Sequence, residues 1–300
     1  MSRDDIVCRI VTVPTKLAPD GGSLLASLAQ RRPLTVFFVI AYLWAWTVWL
    51  VVPRVVTHFA LGWESDAFDI GFIMVGACGP TVAALVTRWL AYRDFRICPL
   101  WTGWSKMLTG LVFGLAGFFA ATVAVPAIAL VKAPIYALHW SALLHWSVYG
   151  INYSTFLGGP VNEEAGWRGF ALPKLQSRFG PFVASLILAP LWALWHWPLF
   201  LIPDWNSASP WQYVLILVGV SLLLTWAANL ARFGILVAMV LHAFFNTSSR
   251  MLGALIGNLP VRSHVMVIYA VAVCATGIAV SVGGFRCLPK TSQRLGAHDV

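Results

Sequence analysis

The sequence predicts an all-α fold, a polytopic membrane helix bundle with about eight transmembrane helices. Apolar residues make up 59% of its 300 residues and charged residues only 10%, whereas soluble domains carry about a quarter charged residues. The apolar residues also cluster in long stretches, each close to the roughly 20 residues that cross a hydrocarbon core. Such stretches are too long and too uniformly apolar for barrel strands. A water-soluble surface cannot be built from this composition.

Eight apolar stretches remain when the chain is cut at its polar segments. They cover residues 34–53, 70–91, 107–131, 140–161, 181–202, 211–230, 233–252 and 264–284. Because the bilayer core holds no water, each backbone polar group there must pair within its own segment, which favours helices. The predicted organisation is an N-terminal arm over 1–33, a membrane bundle over 34–285 and a tail over 286–300.

The distribution of Lys and Arg predicts the orientation of the bundle. With the N-terminus inside, sixteen of the 20 basic residues fall on the inner side, where such residues are retained. Arm and tail are therefore predicted to be cytoplasmic, in a multi-pass protein of the cell membrane. The net charge of +9 is spread over many helix ends and forms no dense basic tract, so no nucleic-acid partner is predicted.

Ionisable side chains inside a bilayer usually mark function, and the first such cluster is the pair Glu163 and Glu164. Pro160 is suited to the first turn of a new helix. On that helix Glu164 and Arg168 are four residues apart and are expected to form an ion pair. Glu163 points about 100° away and is expected to be free. A poorly solvated free carboxylate is a candidate general base.

Two further polar positions lie in later apolar stretches. His196 stands among tryptophans, in a pattern that a buried structural histidine or an interfacial belt would also produce. His242 and Asn246 are four residues apart on one helical face, where they could simply join helices by hydrogen bonds. Together with Glu163, however, these side chains can activate water and bind an oxyanion. The predicted reaction is amide hydrolysis, with Glu163 as base aided by His196, and with His242 and Asn246 as oxyanion donors.

The order of these motifs resembles the CAAX-protease and bacteriocin-processing family of intramembrane endopeptidases. The motifs are E-E-x-x-x-R (Glu163, Glu164, Arg168), aromatic-x-x-x-H (Trp192, His196) and H-x-x-x-N (His242, Asn246), and the run from Arg168 to Gln176 looks like the family's usual continuation. The resemblance covers about 150–255, the expected protease core. It implies a helical endopeptidase, with Glu164, Arg168 and Trp192 in supporting roles. Trp192 departs from the family's usual Phe.

The sequence leaves cofactor, depth and substrate open. Glu163, His196 and His242 could form a zinc site with an open position, or act without metal, and no H-E-x-x-H motif is present. A straight fifth helix entering near Pro181 places His196 about 22 Å deep, so either that helix begins outside the bilayer core or the Glu163 helix is re-entrant. The expected substrate is a peptide or prenylated protein, cut near the cytoplasmic face.

Two other functions compete with this interpretation. A non-catalytic immunity or scaffolding protein could use the same fold. A transporter would be expected to show two related halves with broken helices near the midplane, and no such halves are visible. The oligomeric state is not predicted.

Overall fold

A computed structural model describes most of the bundle. The described residues are 23–58, 66–112, 114–116, 141, 159–202, 205–206, 208–256 and 262–285. They contain helices and no strand. This confirms the predicted all-α class.

The helices follow one another in a simple order along the chain. They are α1 (Leu24–Arg31), α2 (Pro33–Trp46), a π-helical turn (Thr47–Val51), α3 (Val52–His58), α4 (Asp66–Ala77), α5 (Gly79–Tyr92), α6 (104–112), α7 (Pro160–Gly166), a second π-helical turn (Trp167–Ala171), α8 (Leu172–Trp195), a 3-10 turn (Trp197–Leu201), α9 (Pro210–Leu230), α10 (Ile235–Ile256) and α11 (Arg262–Gly284). Helix α1 lies inside the predicted arm, and its Gln30 donates to the carbonyl of Ala91 at the end of α5.

Six helical runs are long and apolar enough to cross a membrane: Pro33–Val55, Gly71–Tyr92, Pro160–Leu201, Pro210–Leu230, Ile235–Ala254 and Arg262–Gly284. Each overlaps one of the eight predicted spans, and the run Pro160–Leu201 begins 21 residues before the predicted span 181–202. Most of the other two, 107–131 and 140–161, lies outside the described residues, as do 1–22 and 286–300 of the predicted arm and tail. The protein is a multi-pass membrane protein, while the count of eight and the cytoplasmic termini stay predictions.

The run Pro160–Leu201 is a helical hairpin, and this differs from the predicted arrangement. Gly180 has φ +75° and ψ 167°, in the left-handed region that favours glycine, and Pro181 follows. Glu163 lies 17 residues before Gly180 and His196 lies 16 after it. A straight helix would hold these residues about 50 Å apart, yet their side chains lie 4.0 Å apart. The chain therefore reverses at Gly180, and both residues reach the same depth.

This hairpin explains how Glu163 and His196 come to lie at the same depth in the membrane, which the sequence analysis left open. The Glu163 helix crosses the bundle as a full arm of the hairpin, so the sequence placed it wrongly at the end of a preceding span. Its second half carries Lys174, Gln176 and Arg178, which lowered its apparent hydropathy. Gln176 is nevertheless buried and exchanges two hydrogen bonds with the Asn229 carboxamide of α9. Paired amides satisfy each other inside a bundle, where neither finds water.

Hydrogen bonds between uncharged groups hold helix α2 against the second half of the hairpin, which carries His196. Tyr42 donates its hydroxyl to the carbonyl of Leu191, and the indole N–H of Trp46 donates to the carbonyl of Trp195. In return the Trp195 indole donates to the carbonyl of Ala41. Large aromatic rings bury area and still place their single polar group on a partner. These bonds fix the register of the arm that carries His196.

Helices α9 and α11 pack most closely at two glycines. A Cβ added to Gly219 would clash with the Val273 carbonyl, and a Cβ on Gly277 would lie 2.6 Å from the Gly219 carbonyl oxygen. Small residues at such crossings let backbones approach and increase van der Waals contact.

We expect Gly219→Ala to destabilise the protein by about 1–3 kcal/mol, because the two backbones must separate to admit the methyl group. Thermal unfolding in detergent measures the change. Gly283→Ala is the matched control, since a Cβ there meets nothing within 4 Å. Equal melting temperatures for the two variants would show that the close approach is unimportant.

Candidate active site

Glu163 is held by two indoles at the base of a cavity. Its side chain is 2% exposed, and its Oε2 accepts from Trp192 Nε1 at 2.8 Å and from Trp167 Nε1 at 3.2 Å. Gly159 precedes it with φ +107°, and a Cβ there would clash with Oε1. The carboxylate is therefore oriented, and the expectation that it is free was wrong. Oε1 is left pointing toward His196.

Behind this carboxylate lies a buried ion-pair network built on Glu164. Its Oε1 accepts from Arg168 Nη1 at 2.9 Å and from His242 Nδ1 at 2.8 Å. The predicted pair of Glu164 and Arg168 is thus confirmed. The Arg168 guanidinium also lies 4.3 Å from the centroid of the Trp192 ring, a favourable cation–π distance. Both charged side chains are at most 1% exposed, so each depends on the other.

His196 has one ring nitrogen committed and one directed at Glu163. Its Nδ1 lies 2.9 Å from the carbonyl oxygen of Trp192, and because a carbonyl only accepts, Nδ1 carries a proton. In the neutral ring Nε2 is then an acceptor. Nε2 lies 4.0 Å from Glu163 Oε1. This gap is too long for a direct hydrogen bond and is suited to one bridging water.

His242 has the same tautomer for a different reason. Its Nδ1 donates to the carboxylate of Glu164, which leaves Nε2 for the cavity side. A neutral His242 would accept at Nε2, and only the doubly protonated ring could donate there. The Trp192 ring meets His242 edge-on at 5.1 Å between centroids and fixes its plane.

A cavity of about 340 Å³ joins these residues. Glu163, Trp192, His196, His242 and Asn246 all line it. Asn246 is half-buried and lies one turn beyond His242, toward the end of α10. Aromatic side chains form much of the remaining wall, including Trp49, Trp195, Trp205, Tyr213 and Tyr269. Such a cavity can take an apolar, extended peptide segment and present it to polar groups on one side.

The structure brings the predicted site residues together from α7, α8 and α10 and from the π-helical turn after α7. It also adds residues that the sequence did not single out. Trp167 donates to Glu163 from the position one turn later, the same spacing that revealed the pair of Glu164 and Arg168. Trp205 and Tyr213 flank the His196 ring, with centroids 5.8 and 5.5 Å away. Only tertiary packing brings this second pair to the site.

A zinc ion was one of the two predicted ways to activate water. Among the described residues, no three His, Cys, Asp or Glu side chains converge as a ligand set. Glu163 Oε2 already accepts from two indoles, and both histidine Nδ1 atoms are engaged. Glu163 Oε1 and the Nε2 atoms of His196 and His242 remain on the cavity side. The choice between the two predicted ways of activating water therefore stays a prediction, and no step is derived through a metal.

Fold and site together define a multi-pass membrane protein with a carboxylate and two imidazoles around an intramembrane cavity. Residues 146–248 match the family of Rce1-like type II CAAX prenyl endopeptidases. This match confirms the resemblance to the CAAX-protease and bacteriocin-processing family that the motifs show. The chain is also similar to a CAAX prenyl protease 2 of Methanococcus maripaludis, with 29% identity over 119 residues. The match covers 37% of this chain and 44% of that relative, so the chain spans less than half of the relative's length.

Proposed function

We propose that this protein is an intramembrane endopeptidase that uses Glu163 to activate water. The observation that carries the proposal is the gap of 4.0 Å between Glu163 Oε1 and His196 Nε2. Both atoms are acceptors, so a water placed between them donates one hydrogen to each and turns a lone pair outward. Attack on a carbonyl carbon then transfers a proton to Glu163.

Charge that develops on the substrate oxygen needs donors on the opposite side of the reacting carbon. His242 in its doubly protonated form offers Nε2–H, and Asn246 offers a carboxamide N–H one turn away. Donors held in advance in a poorly solvated site stabilise such an oxyanion strongly. Glu164 and Arg168 act as positioning residues, because they hold His242 without touching the cavity centre. Glu163 returns the proton to the leaving amine.

The cavity supports a substrate that reaches the protein through the membrane. Its wall is largely aromatic and aliphatic, and it lies inside a helix bundle with exposed apolar sides. A peptide tethered to a lipid bilayer, by a prenyl group or by its own apolar segment, is the substrate class that fits best. The printed name of the archaeal relative, a CAAX prenyl protease, favours prenylated peptides among them.

Purified protein in detergent tests the proposal with a panel of prenylated and leader-type peptides. We expect internal cleavage of at least one peptide, and we expect it to persist after treatment with a zinc chelator. Loss of cleavage in the chelator, restored by zinc, would replace the water activation described here with a metal mechanism. A folded protein that cleaves no peptide would favour a non-catalytic role in immunity or scaffolding.

Trp192→Phe is expected to lower kcat about 10- to 100-fold, because the indole N–H bonded to Glu163 Oε2 disappears while the aromatic wall stays. A hydrogen bond to a charged group contributes about 1.5–3 kcal/mol. Trp167→Phe is the matched control, since its donor is longer at 3.2 Å, and we expect a smaller loss. Steady-state kinetics on one cleaved peptide measures both. A rise in KM with unchanged kcat in Trp192→Phe would assign Trp192 to substrate binding instead.

A further inference from the structure

The cavity lies at one end of the bundle, and the helices that line it do so with the ends that meet there. Its lining residues come from the later part of one helix and the early part of the next: Trp49, Ile73, Glu163, His196, Tyr213 and Met266. The helix ends that lie here are His58, Leu201, Pro210, Ile256 and Arg262. We call it the cavity end. The opposite end, the hinge end, holds Gly180 and the connections 93–103 and 231–234.

Basic side chains are strongly concentrated at the hinge end. Of the thirteen Lys and Arg residues that the structure describes, eight lie there: Arg31, Arg32, Arg93, Arg96, Lys106, Lys174, Arg178 and Arg232. The cavity end holds Arg54, Arg250 and Arg262. The remaining two, Arg88 and Arg168, are buried within helices and paired with Asp94 and Glu164.

The sequence between α3 and α4 contains no basic residue. Its segment 56–70 carries three acidic residues and no Lys or Arg. Lys and Arg in short connections near helix ends are retained in the cytoplasm, and each gains about 1 kcal/mol near an anionic cytoplasmic leaflet. Eight basic residues against three make the hinge end the cytoplasmic one.

Tryptophans mark both interfaces and place the catalytic groups between them. Trp89, Trp101 and Trp104 are exposed near the hinge end, and Trp197 and Trp211 are exposed near the cavity end. Trp enrichment at both interfaces is typical of membrane bundles. His196 directly precedes Trp197 and lies about 25 Å from Gly180 along its helix. The catalytic groups therefore lie close to the interface at the cavity end.

From this asymmetry we infer that the active-site cavity opens toward the non-cytoplasmic face of the membrane. The substrate is then a membrane-tethered peptide that meets the protein at its outer leaflet, such as the tail or leader of an exported protein. A tail held at the cytoplasmic leaflet would have to cross most of the bundle to reach Glu163. This inference rests on the proposed function for its substrate, and it departs from the cytoplasmic cleavage that the sequence predicts.

Single-cysteine labelling tests the orientation without any activity. The five natural cysteines, Cys8, Cys78, Cys98, Cys274 and Cys287, are replaced by Ala, and one cysteine is introduced as Ser263→Cys at the cavity end or as Ser105→Cys at the hinge end. Both serines are exposed and lie in the first turn of a helix, so the two variants are matched. A membrane-impermeant maleimide is added to intact spheroplasts and to lysed ones.

We expect Ser263→Cys to be labelled in intact spheroplasts and Ser105→Cys to be labelled only after lysis. The opposite pattern would overturn the inference. Gel filtration in detergent checks that each variant stays folded.

Sealed vesicles of known orientation give a second test with the unmodified protein. A panel of prenylated and leader-type peptides is added outside right-side-out and inside-out vesicles. We expect cleavage in the right-side-out preparation alone. Cleavage in inside-out vesicles alone would overturn the inference while supporting the proposed peptidase. With no cleavage in either, even after detergent is added, the proposed function fails, and the labelling pattern still decides the orientation.

Discussion

Replacing Glu163 by Gln is expected to lower kcat for peptide cleavage by about 100- to 10,000-fold, the range that general-base catalysis contributes. A carboxamide has the same shape, and its oxygen can still accept from Trp192 and Trp167, so the fold should be kept. It cannot, however, take a proton from water at neutral pH. Rates measured in detergent on one cleaved peptide, beside unfolding curves for both proteins, give the comparison.

Asp94→Asn serves as a control for removing an acidic residue away from the cavity. Asp94 pairs with Arg88 at the hinge end, so we expect nearly unchanged kcat. A fully active Glu163→Gln enzyme would refute the role of Glu163. If the variant kept the protein's biological effect without any cleavage by wild type, the non-catalytic role in immunity or scaffolding would gain support.

Removing the charge of Arg168 is expected to destabilise the fold by about 3–5 kcal/mol, the cost of leaving one partner of a buried pair uncompensated. Arg168→Met keeps much of the volume, and the Glu164 carboxylate then retains only the hydrogen bond from His242. The second substitution Glu164→Gln should restore part of the stability, because no unpaired charge remains. Unfolding of the single and double variants in one detergent gives the coupling between the residues.

Arg178→Met is the matched control for this series. Arg178 is exposed at the hinge end, and its guanidinium lies 5.4 Å from the centroid of the Phe179 ring, so its loss should change stability little. Similar destabilisation by Arg168→Met and Arg178→Met would show that the buried ion pair with Glu164 contributes no more to stability than an exposed arginine does. We also expect the double variant to fold with reduced activity, since His242 Nδ1 then donates to a neutral carboxamide oxygen instead of a carboxylate.

Much of the fold followed from composition and periodicity, and the hairpin shows where that approach ends. Long apolar stretches predict membrane helices because the bilayer demands internal hydrogen bonding. The helix that begins at Pro160 was not predicted in this way, because it carries polar side chains that form hydrogen bonds with neighbouring helices. Gln176 pairs with Asn229, a residue 53 positions later, and no local pattern in the sequence announces that pairing.

The sequence predicted which residues gather at the site, but it predicted few of the contacts between them. A spacing of four residues correctly predicted that Glu164 bonds to Arg168. It did not predict that Glu164 also binds His242, or that Glu163 is held by Trp192. These contacts join separate helices, and they depend on the reversal at Gly180. The roles assigned to Glu163, His196, His242 and Asn246 stay predictions until kinetics test them.

The most direct test of the proposed peptidase is product analysis in water enriched with oxygen-18. The purified protein is incubated in detergent with prenylated and leader-type peptides, and the new termini are identified by mass spectrometry. We expect an internal cut, with one heavy oxygen in the new carboxyl group of the wild-type product and no such product from Glu163→Gln. If folded wild-type protein yields no internal cut in any peptide, or if Glu163→Gln yields the same labelled product at the same rate, the account of a glutamate-activated water is contradicted.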